Sequence, residues 1–300
     1  RQSLRLVQAN PNDNMSAQLD EFCIITNNYK DPEHEVTEQV RQFLMQAGRT
    51  CHVANFRNVG GRFIYEVPQE TKCCIVIGGD GTMLEAAGDV YGRDIPLLGI
   101  NLGTIGYLAE IERSRIEEAL QRLLSGAYEV EERMQLCGKI MSASGAGEEV
   151  EPANALNDIV IARYGSITAN SYRIKINGKF LKDYQADGII VSTPTGSTGY
   201  NMSAGGPIVE PQARMLLITP ICPHTLTNRS IVLSADRRVE IEQLPSSTGQ
   251  EQISEVSFDG TEGRKITTGA RILISGSLQM TKLIRLREIS FLEILQKKMA

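Results

Sequence analysis

The sequence predicts a Rossmann-like α/β domain followed by an all-β, β-sandwich-like domain, and three observations carry that reading. In residues 1–126 short apolar runs alternate with segments at helical spacing, the pattern of a parallel sheet wrapped by helices. From 127 to 279 the helical spacing stops, and strand-length runs bounded by turn residues take over. The chain's 300 residues suit two domains better than one. Residues 280–300 end in a helix-length segment expected to return to the first domain.

In the first half, Phe22 to Thr26 reads as a buried strand. Asp31-Pro32 then offers an N-cap and a proline at the first helical position, ahead of a helix with Val36, Val40, Phe43, Leu44 and Ala47 on one face and Gly48 as its stop. Thr50 to Phe56 is strand-like. Cys73 to Ile77 is an unbroken apolar strand running into Gly78, Gly79, Asp80 and Gly81, with helix-compatible sequence from Met83. Another strand spans Ile95 to Ile100. Ser114 and Glu117 form a capping box for a helix whose apolar face is Ile116, Leu120, Leu123 and Leu124, ended by Gly126.

In the second half, Tyr128 to Leu136 alternates loosely and Gly145 to Pro152 is an acidic, turn-rich loop. Tyr172, Ile174 and Ile176 alternate with polar residues up to Asn177-Gly178, a strong hairpin signal. Strands are expected after Asp187-Gly188, at Ser230 to Leu233, Glu255 to Phe258, Arg271 to Ile274 and Lys282 to Leu286, with a turn at Asp259-Gly260. Phe291 to Met299 closes as a short helix.

Composition narrows the function classes. A net charge of -5 argues against general nucleic-acid binding, which wants a basic face. No apolar run reaches the roughly 18 residues a membrane span needs. Arg1 to Met15 lacks the apolar core of a signal peptide and is expected to be an unstructured lead-in with an incomplete or processed start. The six cysteines show no CxxC spacing, which points away from zinc and disulfides and toward a reducing cytoplasm.

Chemistry concentrates in three stretches. The glycine turn around Asp80 lets backbone approach a ligand closely, and the N–H groups of the following helix favour a phosphate. It is not a Walker P-loop, having no GxxxxGK[ST] and no lysine nearby in sequence, and no GxGxxG occurs. A carboxylate among phosphates is out of place unless it holds a metal or accepts a hydroxyl proton. A plain helix cap would not need three glycines around it. The second stretch, Ser192 to Asn201 with Ser203 to Pro207, crowds hydroxyls and glycines as a phosphate or sugar site would; alone it also reads as a surface loop. The third, Asn157-Asp158 before an apolar strand, could pair with an adenine edge and sugar hydroxyls, or simply make a turn. His34, His52 and His224 suggest packing rather than catalysis. No metal-ligand cluster appears, so a metal would be Mg²⁺ carried on nucleotide phosphates.

Together these residues resemble the NAD kinase family. The motifs are Gly78 to Thr82, Asn101 to Leu108, Asn157-Asp158, Asp187-Gly188, Thr193 to Tyr200, Ser203 to Pro207 and Pro220 to Leu226, in the family's order. The glycine turn alone is shared with diacylglycerol and sphingosine kinases and phosphofructokinases; the second-half motifs are specific. The resemblance implies ATP and NAD as substrates, NADP and ADP as products, Mg²⁺ with the ATP, and a homodimer or homotetramer. By similarity Asp80 is the catalytic aspartate, acting on the 2′-hydroxyl of the adenosine ribose. Gly81 contacts NAD beside it, Asn157 and Asp158 hold the adenosine half, and Asp187, Thr195, Thr198, Gly199, Tyr200, Asn201, Met202 and Ser203 complete the site, with Asp259 near the ligand. The chain departs from the family at Gly199, commonly alanine, at Gln185, commonly basic, at Thr168, frequently histidine, and at Thr261, commonly glutamine. A lipid kinase sharing the turn, or a non-catalytic NAD(P) sensor, would be the alternatives, and the retained Asp80 speaks against the sensor.

Overall fold

The computed structural model describes residues 19–104, 106–143, 151–165, 167–224, 229–261, 263–286 and 290–299. The stretch Arg1 to Met15, Gly145 to Val150 of the acidic loop, Ile105 and Thr225-Leu226 lie outside the described residues.

The first half runs β1 (Glu21–Thr26), α1 (Glu35–Gln46), β2 (Thr50–Val53), β3 (Asn55–Val59), β4 (Arg62–Glu66), β5 (Cys73–Gly78), α2 (Asp80–Asp89), β6 (Leu97–Asn101), β7 (Ile111–Glu112) and α3 (Ile116–Leu124). Strands β2, β1, β5 and β6 lie side by side and parallel. Apolar residues occupy both faces because helices cover both. Phe22, Ile24, Ile75 and Ile77 meet Val36, Val40 and Leu44 of α1 and Leu120 and Leu123 of α3 on one side. Cys23, Ile25, Cys74 and Val76 meet Met83, Ala86 and Ala87 of α2 on the other.

Two helix starts differ from the sequence expectation. α1 begins at Glu35, beyond Pro32, yet Asp31 still serves it: its carboxylate accepts from the N–H of Val36 at 3.3 Å and of Thr37 at 2.9 Å. The Ser114/Glu117 capping box does not form. A 3-10 turn, Arg113–Arg115, takes up that stretch, and α3 starts at Ile116 without a side-chain cap. The hairpin β3–β4, turning at Gly60-Gly61, was not expected; it lies over α2, with Tyr65 N–H donating to Asp89 at 2.7 Å.

The second half runs β8 (Glu129–Met141), β9 (Ala153–Ala155), β10 (Asp158–Arg163), β11 (Asn170–Ile176), β12 (Lys179–Ala186), β13 (Gly188–Ser192), α4 (Tyr200–Ser203), β14 (Met215–Ile221), β15 (Ile231–Ser234), β16 (Arg238–Gln243), β17 (Ile253–Phe258), β18 (Arg264–Thr267), β19 (Arg271–Arg285) and α5 (Phe291–Met299). A six-stranded antiparallel sheet, β15-β14-β13-β10-β17-β18, faces β11, β16, β19 and β8. Between them Tyr172, Ile174, Ile241, Ile272 and Leu136 interdigitate with Ile159, Ile161, Ile189, Val191, Ile218 and Phe258, the alternation of a sandwich core. Asn177 and Gly178 turn the β11–β12 hairpin with φ of 49° and 76°, as a type I′ turn requires.

The two expected strands at Arg271 to Ile274 and Lys282 to Leu286 are one. β19 pairs with β16 through Arg271 to Ser275, kinks between Gly276 and Met280, and then reaches β6 at Leu283↔Leu97. The parallel sheet and one leaf of the sandwich are therefore a single sheet. α5 follows and sets Phe291 against Tyr107 of the first half, with ring centroids 5.9 Å apart.

Leu283 sits 1% exposed at that junction. Leu283→Ala is expected to cost about 2–4 kcal/mol, read as a lower urea midpoint with an unchanged slope.

Candidate active site

The β5–α2 junction is built by close approach. Gly78, Gly79 and Gly81 all lie outside the left-handed region. A side chain at Gly78 would overlap Thr82, and one at Gly79 would come within 2.7 Å of the Lys30 ammonium. At Gly81 nothing lies within 4 Å, because that position opens onto a cleft. Gly78 is needed for space, and none of the three is needed for positive φ.

Asp80 occupies the first turn of α2, but its carboxylate turns to another segment. Oδ2 accepts the N–H of Tyr107 at 2.8 Å; Oδ1 accepts those of Leu108 and Ala109 at 3.0 and 3.2 Å. A Cβ at Gly106 would overlap that carboxylate, and one at Gly99 would come within 2.7 Å of Ala109 Cα. These two glycines let the 106–109 segment close over Asp80.

The cleft, about 860 Å³, lies between this junction and the Asp259-Gly260 turn. Gly81 and Thr261 line it, together with Asn27, Lys30, Arg62, Asn154 and Arg264. Asp259, at φ 50°, repeats the Asp80 arrangement: its carboxylate accepts the N–H groups of Leu156, Asn157 and Asp158 at 2.6, 2.7 and 3.1 Å. Burial and the neighbouring Asp259 push the Asp158 carboxyl up to about 7. Burial likewise raises Asp259 to about 6, although its three N–H donors pull it down.

The hydroxyl-rich loop packs against Asn157. Thr193 N–H donates to the Asn157 carbonyl at 2.9 Å, and a side chain at Gly196 would overlap that carbonyl. Thr195 is buried and accepts from Arg133 Nη1 at 3.2 Å; Thr198 Oγ1 donates to the Thr195 carbonyl at 3.3 Å. Gly199 lies beside the Asn157 amide, whose Nδ2 would be 3.6 Å from a Cβ there. Tyr200, Met202 and Ser203 are exposed on α4. Asn201 is buried and spent internally, donating to the carbonyls of Ser197 and Pro207 and accepting from Thr219 at 2.7 Å. It shapes the loop and offers a ligand nothing from its side chain.

Thr168, Gln185 and Asp187 are not brought to this cleft. Asp187 pairs with Arg163 at 2.8 Å, at the opposite end of β10 from Asp158. Five residue steps along the strand separate the two ends, roughly 16 Å. Gln185 and Thr168 are exposed near that far end.

Sequence reading missed the cations of the cleft. Lys30 lies in the loop after β1, far from Asp80 in sequence, and forms no ion pair with a described residue. Arg62, from the unexpected hairpin, pairs with Asp89 at 2.9 Å and lines the cleft. The signal available for Lys30 was topological: loops beyond the C-terminal ends of parallel strands gather where ligands bind. Among the described residues no group of three His, Cys, Asp or Glu side chains could hold a metal ion.

Residues 57–128 match the model of the ATP-NAD kinase N-terminal domain, and residues 156–286 that of the ATP-NAD kinase C-terminal domain. The chain is 42% identical over 282 residues to the NAD kinase of Lachnoclostridium phytofermentans, covering 93% of this chain and 99% of that protein. It is 43% identical over 282 residues to the NAD kinase of Agathobacter rectalis, covering 93% and 98%. In fold it is similar to yeast NADH kinase complexed with NADH, with a TM-score of 0.78 at 21% identity, covering 95% of this chain and 88% of that one. An NAD kinase from Archaeoglobus fulgidus in complex with ATP superimposes with a TM-score of 0.71 at 22% identity, covering 89% and 94%.

The raised carboxyls make stability fall with pH. An Asp whose folded pKa exceeds its unfolded value stabilises most below the unfolded value, and that contribution is lost as pH climbs through the folded one. Asp158→Asn removes the penalty. Its Tm gain over the parent, measured by calorimetry without ligand, is expected to be small at pH 5 and to grow by at least about 2 °C at pH 8.

Proposed function

The chain belongs to the NAD kinase family, and from that premise we infer that it transfers the γ-phosphoryl group of ATP to the 2′-hydroxyl of the adenosine ribose of NAD, giving NADP and ADP. The observation that carries the mechanism is the Asp80 clasp. A carboxylate has about four acceptor positions; Oδ1 uses two on Leu108 and Ala109, and Oδ2 uses one on Tyr107. The position left on Oδ2 accepts the ribose hydroxyl and aims its oxygen at phosphorus. The hydroxyl proton passes to Oδ2 late, as a loose phosphoryl-transfer transition state permits. The new O2′–P bond forms as the bond from phosphorus to the bridging oxygen of ADP breaks.

Lys30, with Arg62 and Arg264 on the same cleft, supplies positive charge for the triphosphate. Mg²⁺ would accompany the ATP phosphates and supply further charge neutralisation. Gly81 and Thr261 border the ligand. Asn157 and Asp158 take the adenosine half, with Thr195, Thr198, Gly199, Tyr200, Met202 and Ser203 around it.

Residues 1–126 with 280–300 form the α/β unit of this reading, and 127–279 the NAD-binding unit. Thr168, Gln185 and Asp187, stranded at the far end of β10, support a homodimer or homotetramer in which one copy offers them to its neighbour's cleft. Six free cysteines support a cytoplasmic location.

Asp80→Asn is expected to leave NAD affinity within a few-fold by calorimetry while NADP formation from NAD, ATP and Mg²⁺ falls at least about 100-fold; near-normal turnover would remove Asp80 from the reaction. Lys30→Met is expected to raise the KM for ATP about tenfold or more, with the KM for NAD little changed. An unchanged ATP KM would exclude Lys30 from the triphosphate site.

A further inference from the structure

Behind the Asp80 clasp lies a chain of buried charges that touches neither the cleft nor any substrate in the reading above. Arg285, the last residue of β19, points its guanidinium at the segment that holds Asp80. Nη2 donates to the Tyr107 carbonyl at 3.0 Å, and Nη1 to the Leu108 carbonyl at 3.1 Å. Those carbonyls belong to the same two peptide planes whose N–H groups, on Leu108 and Ala109, donate to Asp80 Oδ1. Each plane thus bridges a carboxylate on its N–H side and a guanidinium on its C=O side. The two charges polarise the intervening dipoles in one direction, which strengthens both sets of bonds.

Arg285 is itself held from two sides. Nε donates to Glu131 at 2.7 Å and Nη1 to Glu110 at 3.1 Å, while Glu110 also accepts the Leu286 N–H at 2.8 Å. Glu131 accepts from Arg133 Nε at 3.0 Å, and Arg133 in turn donates to Thr195. All four side chains are between 4% and 13% exposed. The two arginines and two glutamates balance in charge; burial pushes the Glu131 carboxyl up, but the Arg133 and Arg285 guanidiniums outweigh it and hold it down at about 2. Buried networks of this kind are expensive to desolvate and are often replaceable by apolar residues without loss of stability. Stability alone is therefore a weak reason to have one here. Lysine, with three donors at a single point, could not span the four acceptors the Arg285 fork reaches.

We propose that Arg285, oriented by Glu110 and Glu131, is a positioning residue for the phosphoryl transfer. Through the 107–109 peptides it sets the rotation of the Asp80 carboxylate, so that Oδ2 faces the acceptor hydroxyl. Through Glu131 and Arg133 it ties that setting to Thr195 across the junction of the two halves. The inference rests on the reading of Asp80 as the carboxylate that meets the hydroxyl.

The test uses the full chain with NAD, ATP and Mg²⁺, following kcat, both KM values and Tm for Arg285→Lys, with Asp80→Asn alongside. Arg285→Lys keeps the charge and loses the fork. It is expected to lower kcat about tenfold or more with both KM values within about threefold, since a loosened carboxylate is felt mainly in the transition state. A kcat within about twofold of the parent, with or without a lower Tm, makes the cluster a structural brace and overturns the proposal; so does a loss carried wholly by KM. If Arg285→Lys does not fold, Glu131→Gln, which keeps the volume and one acceptor oxygen, decides by the same criteria. Near-normal turnover in Asp80→Asn would instead overturn the reading of Asp80, a result distinct from either outcome at Arg285.

Discussion

Two carboxylates, each closed on three consecutive backbone N–H groups, are what the site depends on. Asp80 takes those of 107–109, and Asp259 those of 156–158. Backbone N–H groups in irregular segments must find acceptors, and a buried carboxylate must find donors; each arrangement satisfies both demands at once. Asp80 joins α2 to the segment after β6, and Asp259 joins the end of β17 to the start of β10. The cleft lies between these two fastened places.

The glycines follow from the same demand. Gly99 and Gly106 have no Cβ because the 106–109 segment must come within hydrogen-bond range of Asp80, and Gly196 has none because the hydroxyl-rich loop must lie on the Asn157 carbonyl. Local chain flexibility is not the common reason, since these glycines and the three around Asp80 lack positive φ. Gly99, Gly106 and Gly196 each have a backbone or carboxylate neighbour too close for a side chain, Gly78 and Gly79 have the side chains of Thr82 and Lys30 close by, and Gly81 faces an open cleft.

Much of this was readable in advance. Apolar runs of strand length alternating with 3.6-period segments specify a doubly wound sheet, because only parallel strands buried on both faces tolerate such runs. Asn177-Gly178 and Asp259-Gly260 specified their turns through the φ values they allow. The helix caps were less legible. Asp31 caps α1 from four residues before its first turn, and Ser114 caps nothing, because neighbouring backbone decided which N–H groups were left over. Lys30 and Arg62 were invisible as site residues, since a lone cation in a loop or hairpin carries no spacing signal.

By itself the sequence determined the layer architecture, the glycine turn with its acid, and, through the order of its motifs, the family. These depend on periodicity and on local backbone freedom, which are properties of neighbouring residues. Only the tertiary structure decided that β19 is one strand stitching both halves into a single sheet, that Asn201 braces its loop from within, and that Thr168, Gln185 and Asp187 sit a strand's length from the cleft. It also decided what faces the Asp80 carboxylate: three N–H groups nearly thirty residues on in the chain, with Arg285 behind them. Such contacts join segments far apart in sequence, and their partners are chosen by packing, which no local pattern records.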